Sequence, residues 1–239
     1  MLKIENVVLP SAEQWKATIR GMRNPKNSWD RSDSICDDNT CYNPECDKCE
    51  NCQYFTGWTV PCGPQLGEKD LTLMKTLVKG GPVHAKFRRM ISVYFDLTAP
   101  LYWWKEFDTY KISTVRNSCS TMHKISAKPF EEKDFSVEHL TKEEKKLIKK
   151  IIKFLNLNRK KFIETKDKTY WWNLIQLLPS SYNQRSTIML NYEVLYNIYH
   201  SRRHHKLDEW HIFCDWIETL PYAKELIIGD KGDDEDGKE

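Results

Sequence analysis

Between Asn24 and Gly67 the chain loses its apolar periodicity and carries six of its eight cysteines, Cys36, Cys41, Cys46, Cys49, Cys52 and Cys62. A stretch this long with so few apolar side chains cannot build a core of its own and needs something to hold it. The cysteines run C-x4-C-x4-C-x2-C-x2-C-x9-C, and each C-x2-C step lets two thiolates reach one ion while the loop turns between them. Lys3 and Glu5 fall too early for the apolar run of a secretory signal, and no run of about 18 apolar residues occurs. The expectation is a cytoplasmic protein outside the membrane, where disulfide stapling is disfavoured. The stretch is read as a structural zinc site using Cys46, Cys49 and two of Cys36, Cys41, Cys52 and Cys62. An iron–sulfur cluster and unliganded thiols are the alternatives.

At 239 residues the chain can bury a core. A single α+β domain over residues 1–228 is expected, with a cysteine-rich insert at 30–66 and an acidic, disordered tail at 229–239. The tail holds six acids against two lysines, whereas Thr141–Lys168 holds eleven Lys/Arg against four acids. The net charge of +3 therefore hides one acidic and one basic stretch. The basic stretch reads first as a solvated helix face; nucleic acid, a nucleotide phosphate or another subunit are the partners it would otherwise meet.

Apolar spacing predicts more helix than strand. Ser11 caps a short helix at 11–20 with Trp15 and Ile19 on one face, ended by Gly21 and Pro25. Asp70 is the expected cap of a helix using Leu71, Met74, Leu77 and Val78, stopped by Gly80-Gly81-Pro82. Phe87, Ile91, Val93 and Phe95 share one parity, the period of a strand. Thr98-Ala99-Pro100 reads as a helix start. Further helices are expected at 143–157, 169–178 and 187–218, the last broken near His205.

From Trp103 to His123 large rings are interleaved with hydrogen-bonding groups. Trp103, Trp104, Phe107 and Tyr110 stand among Lys105, Asp108, Arg116, Asn117, Ser118, Ser120 and His123. That mixture suits a pocket for a flat, polar, phosphate-bearing molecule. An aromatic core face followed by a Ser/Asn-rich turn is the other reading.

At these residues the chain resembles the flavin-dependent thymidylate synthase family over about residues 70–220. Gly80-Gly-Pro-Val-His84 and the residues after it look like the family's histidine and following strand. Thr98-Ala99 sits where its serine-arginine-alanine helix begins, and Arg116-Asn117-Ser118-Cys119-Ser120 resembles its later polar stretch. Leu178-Pro179, Thr187, Asn191 and Arg202, eleven residues after Asn191, look like its leucine-proline, asparagine and late arginine. The chain departs from the pattern where the family has an arginine-histidine-arginine triplet, since Trp104-Lys105-Glu106-Phe107 and Asp108 stand there. Glu193 replaces a usual arginine, and only Lys206–Glu209 stands for the family's late alanine-glutamine-x-glutamate.

The resemblance implies an α+β fold with an antiparallel sheet flanked by helices, and a homo-oligomer, tetrameric in the family pattern, with sites shared between subunits. It also implies FAD as cofactor and reductive methylation of deoxyuridine monophosphate with a folate one-carbon donor. By that likeness Arg202 is the candidate for the nucleotide and Ser120 a hydrogen-bond donor near the pyrimidine. His84 would face the flavin, Arg88, Arg89, Lys105 and Arg116 would supply phosphate contacts, Trp104 or Tyr110 a stacking face, and Asn191 a further contact. The alternative is a non-catalytic, zinc-stabilised nucleotide- or nucleic-acid-binding protein on the same scaffold. His200, His204 and His211, with His205 and Glu209, are read as a basic helix surface or phosphate contact in preference to a metal site. Cys119 and Cys214 are expected to be buried thiols.

Overall fold

In a computed structural model of the chain, residues 2–36 and 64–229 are described. Cys41, Cys46, Cys49, Cys52, Cys62 and the acidic tail lie outside them. The described helices are α1 (Ala12–Arg23), α2 (Glu68–Lys79), α3 (Leu101–Phe107), α4 (Lys142–Thr165), α5 (Lys168–Gln176), α6 (Tyr192–Arg202) and α7 (Asp208–Glu218). The strands are β1 (Lys3–Val8), β2 (Ser92–Pro100), β3 (Val115–Ser118) and β4 (Asn183–Asn191). They form one antiparallel sheet in the order β1-β2-β4-β3. Two compact units divide the chain, and the strands run from one into the other.

The first unit comprises Met1–Glu5, Asp96–Thr109 and Arg116–Thr187. Its helical part is an α4–α5 hairpin. Thr141 and Glu144 cap α4 reciprocally, Lys166 turns the chain at φ 60°, and Asp167 caps α5. Asn173 donates to Asn158 across the hairpin, and Ile125, Phe130, Phe135, Leu155 and Leu174 are buried beside it. Trp103 stacks on Phe107 at 5.1 Å within α3, and both rings are buried.

The second unit comprises Asn6–Phe95, Tyr110–Val115 and Ile188–Glu239. Trp15 of α1 meets Tyr192 and Tyr222 edge-on. Phe95 packs on Phe213 and Trp216 of α7. A latch joins the residues on either side of the 37–63 stretch. Ile35 and Gln65 pair as an antiparallel bridge, and Tyr222, in the left-handed region at φ 56°, donates to Pro64 O and accepts from Leu66 N. The fully buried Asp70 carboxylate accepts from Arg23 Nε at 2.6 Å, from both Ser32 and Ser34 hydroxyls, and from the Asp33 and Ser34 amides. Burial alone would raise the Asp70 carboxyl, but the bonds from Ser34, Ser32 and Arg23 outweigh it and hold the group below its ordinary value.

Several sequence expectations are corrected here. Asp70 does not cap α2: it lies inside the helix, while the Asp33 carboxylate takes the Lys69 and Asp70 amides. Gly21 does not end α1. It lets the helix continue against Met90, whose sulfur a Cβ there would meet at 2.9 Å. Phe87 and Arg88 are adjacent and both buried, which a strand cannot achieve; residues 86–90 form a 3₁₀ turn, and period 2 runs instead through Val93, Phe95, Leu97 and Ala99. Thr98 does not cap α3, because the first amides of that helix donate to Tyr182 O and Ser180 O. The helix expected from Thr187 begins only at Tyr192; the residues before it form β4, which buries Gln184, Ser186, Ile188 and Leu190 in alternation. β1 and β3 were not anticipated.

Candidate functional site

Arg116 on β3 organises the polar centre of the first unit. Nη1 donates to both Asp108 oxygens at 2.7 and 2.9 Å, Nε to Ser186 Oγ at 3.0 Å, and Nη2 to Gln184 Oε1 at 2.6 Å. Its carbon lies 3.8 Å from the centre of the Trp104 ring, and Trp104 Nε1 donates to Gln184 O. Gln184 reaches on to Cys119 O, while Cys119 N donates to Arg185 O. The guanidinium is thus neutralised by Asp108, and each of its three nitrogens donates within its own unit. Trp104 is 2% exposed with one face under Arg116, so that face is not open to a flavin ring. Ser120 accepts from His123 N, the local turn bond of a Ser-rich loop. Lys105 is exposed on α3. Cys119 is exposed and not a buried thiol, because the β3 end carries it to the surface.

Two arginine centres lie in the second unit. Arg88 is 1% exposed, with Nη2 2.8 Å from Glu193, Nη1 donating to Leu226 O, and its carbon 4.1 Å from the Tyr196 ring centre. Glu193, the charge inversion noted in the sequence, is therefore the partner of Arg88. Arg202 closes α6: Nε donates to Tyr110 Oη at 3.0 Å, and its carbon lies 5.7 Å from the Tyr110 ring centre and 5.2 Å from that of Trp210. Tyr110 and Trp210 meet edge-to-face at 6.1 Å. Asn191 caps α6 by accepting from Val194 N at 3.1 Å. The eleven-residue spacing from Asn191 to Arg202 is thus the length of one helix, with its cap at one end and its cation at the other. His84 and Arg89 are exposed.

The histidines do not gather. His200 is on α6 with Nε2 3.0 Å from Ile227 O, His205 accepts from Leu207 N in the turn, and His211 on α7 meets His205 O at 2.7 Å. Among the described residues no group of three or more His, Cys, Asp or Glu is placed to hold a metal ion. Cys36, the one cysteine of the insert described, is buried beside the latch. Burial pushes the Cys214 thiol up to about 12, so it stays protonated.

The sequence did not single out Gln184, Ser186 or Tyr196, and it read Trp210 only as a core or subunit-interface ring. The first two follow from β4, whose polar inward positions obscured the strand. Nothing in the local pattern marks the rings as partners of Arg202 and Arg88.

No protein-family model and no curated protein matches the chain. Solved structures do. Thymidylate synthase X from Helicobacter pylori, with FAD and dUMP, aligns with a TM-score of 0.62 at 15% identity, covering 95% of this chain and 97% of that one. The UMP/dUMP methylase PolB from Streptomyces cacaoi, bound with 5-Br dUMP, aligns with a TM-score of 0.57 at 12% identity, covering 95% and 94%. The fold is that of a flavin-dependent thymidylate synthase. At such identities the likeness concerns the fold, and the chemistry must be argued from the side chains. Among the described residues no helix is long and apolar enough to cross a membrane.

Proposed function

We propose that the chain is a thymidylate synthase-like protein that binds a pyrimidine deoxynucleotide, deoxyuridine monophosphate in the first instance, through Arg202. The observation that carries this reading is the Arg202–Tyr110–Trp210 frame: a guanidinium held at the end of α6 by a phenol and an indole, at the position of the family's late arginine. A planar cation between rings suits a ligand that is both flat and anionic. The end-to-end match to two enzymes whose structures hold uridylates supports the same substrate class.

Transfer of a one-carbon unit is the finer form of the proposal. FAD, when bound, would supply the hydride. The exposed His84 would face the flavin, and the exposed Arg89 of the same unit would meet its phosphates. Arg88 and Arg116 are engaged by Glu193 and Asp108 and are not assigned to it. That engagement, with the missing arginine-histidine-arginine triplet, favours a second reading in which the nucleotide binds without methylation. A visible flavin band in protein purified without added cofactor, together with dTMP formation from dUMP, reduced nicotinamide and methylenetetrahydrofolate, supports the first. Saturable dUMP binding by a colourless, inactive protein supports the second. Exposed Leu147, Phe154, Leu157 and Ile163 on α4 fit a homo-oligomer, a tetramer on the family pattern, and sedimentation as a monomer would contradict that.

A further inference from the structure

The cleft beside the latch in the second unit has chemistry that the nucleotide reading leaves unused. It is a cavity of about 370 Å³ bounded by the turns after α1 and by the first half of α2. None of the residues of the Arg202, Arg88 or Arg116 centres lines it. Three exposed cations do: Lys26, Arg31 and Lys69. No ion pair or side-chain hydrogen bond engages any of the three among the described residues, and the one acid on the rim is Glu68. Arg23, also at the cleft, is different, because Asp70 neutralises it.

The floor carries a second sign of an anion. Ser28 is 6% exposed and its hydroxyl oxygen accepts from Arg23 Nη1 at 3.3 Å. That oxygen is thereby supplied with a donor, while the hydroxyl proton has no acceptor among the described residues. A buried hydroxyl whose proton lacks an acceptor is costly unless a ligand accepts from it. Thr72 and Thr76 add hydroxyls on the α2 side, although Thr76 donates to Thr72 O. Three cations unpaired among the described residues, around a concave floor that carries the Ser28 hydroxyl, suit a compact group bearing two or three negative charges. They suit it better than a carboxylate, which carries one, or an apolar molecule.

We propose that this cleft binds the di- or triphosphate group of a small phosphorylated molecule. The cations encircle the charge and Ser28 donates to an oxygen at the bottom. The cavity is large enough for the phosphates and the start of a sugar, and the binding weakens with ionic strength because every cation is exposed.

The test is titration calorimetry with inorganic tripolyphosphate at low salt, comparing the unaltered chain with a Lys26→Gln, Arg31→Gln, Lys69→Gln triple variant. All three side chains are exposed, so the variant keeps the unaltered protein's thermal midpoint, and Lys145→Gln, Lys149→Gln, Lys153→Gln on α4 serves as an equal-charge control. Saturable binding weakened about tenfold or more by the cleft variant and unchanged by the control is expected. Ser28→Ala, which removes one donor and no charge, is expected to weaken binding severalfold. No saturable binding, or an equal loss in both triple variants, would overturn the proposal. So would tight binding of a DNA duplex that tripolyphosphate fails to displace, since the surface would then be one for nucleic acid.

Discussion

Arg88 and Arg116 contrast with Arg202. The first two are held by carboxylates, Glu193 and Asp108, with further oxygens completing their hydrogen bonds. Arg202 is framed by the rings of Tyr110 and Trp210. By the family likeness all three are read from the sequence as anion-binding residues. A carboxylate partner ties a guanidinium into the scaffold, and ring contacts fix the orientation of its plane. Of the three, Arg202 is the residue assigned to the ligand.

Substitutions can break that contrast, and the largest effect is expected at Arg88. Replacing it with Met leaves the buried Glu193 without its partner and is expected to cost about 3–5 kcal/mol in chemical denaturation. A loss under about 1 kcal/mol would mean that the pair is not structural. The buried Arg23–Asp70 latch should show the same character through pH. Asp70 titrates lower in the folded chain than in the unfolded one, so its stabilisation is complete above the ordinary carboxylate range, about pH 4. It is lost as pH falls through the lower, folded value. An Asp70→Asn variant should therefore show a flatter stability profile on the acid side, and a profile parallel to that of the unaltered chain would contradict the assignment.

Arg116→Ala is expected to cost less, about 1–3 kcal/mol, because Asp108 is half exposed and water can replace part of what is lost. Thermal unfolding of the variant reads this out. The smallest stability effect is expected at Arg202→Ala, about 1 kcal/mol or less on the scale of a partly exposed cation–π contact, with its consequence appearing in ligand binding instead. Equal stability losses at Arg116 and Arg202 would erase the distinction.

Much of this arrangement was legible before any coordinates, and the failures have physical causes. The spacing from Asn191 to Arg202 matches one helix with its cap and last-turn cation, although the apolar pattern started that helix at Thr187. β4 was missed because Gln184 and Ser186 occupy inward positions where apolar residues would have announced a strand. Asp70 resembled a cap because an acid in the first turn of a helix usually is one; its burial comes from Arg23, 47 residues away. Arg116 could not be told from an open phosphate ligand because its neutralising partner, Asp108, is brought to it by the turn after α3 and not by helical or strand spacing.

The most direct test of the nucleotide reading is calorimetric titration of the unaltered chain and Arg202→Ala with deoxyuridine monophosphate, with thermal unfolding run alongside. Saturable binding to the unaltered chain, weakened about tenfold or more in a variant of near-equal stability, is the predicted result. Binding that is absent from the unaltered chain, or unaffected by the loss of Arg202, would contradict it.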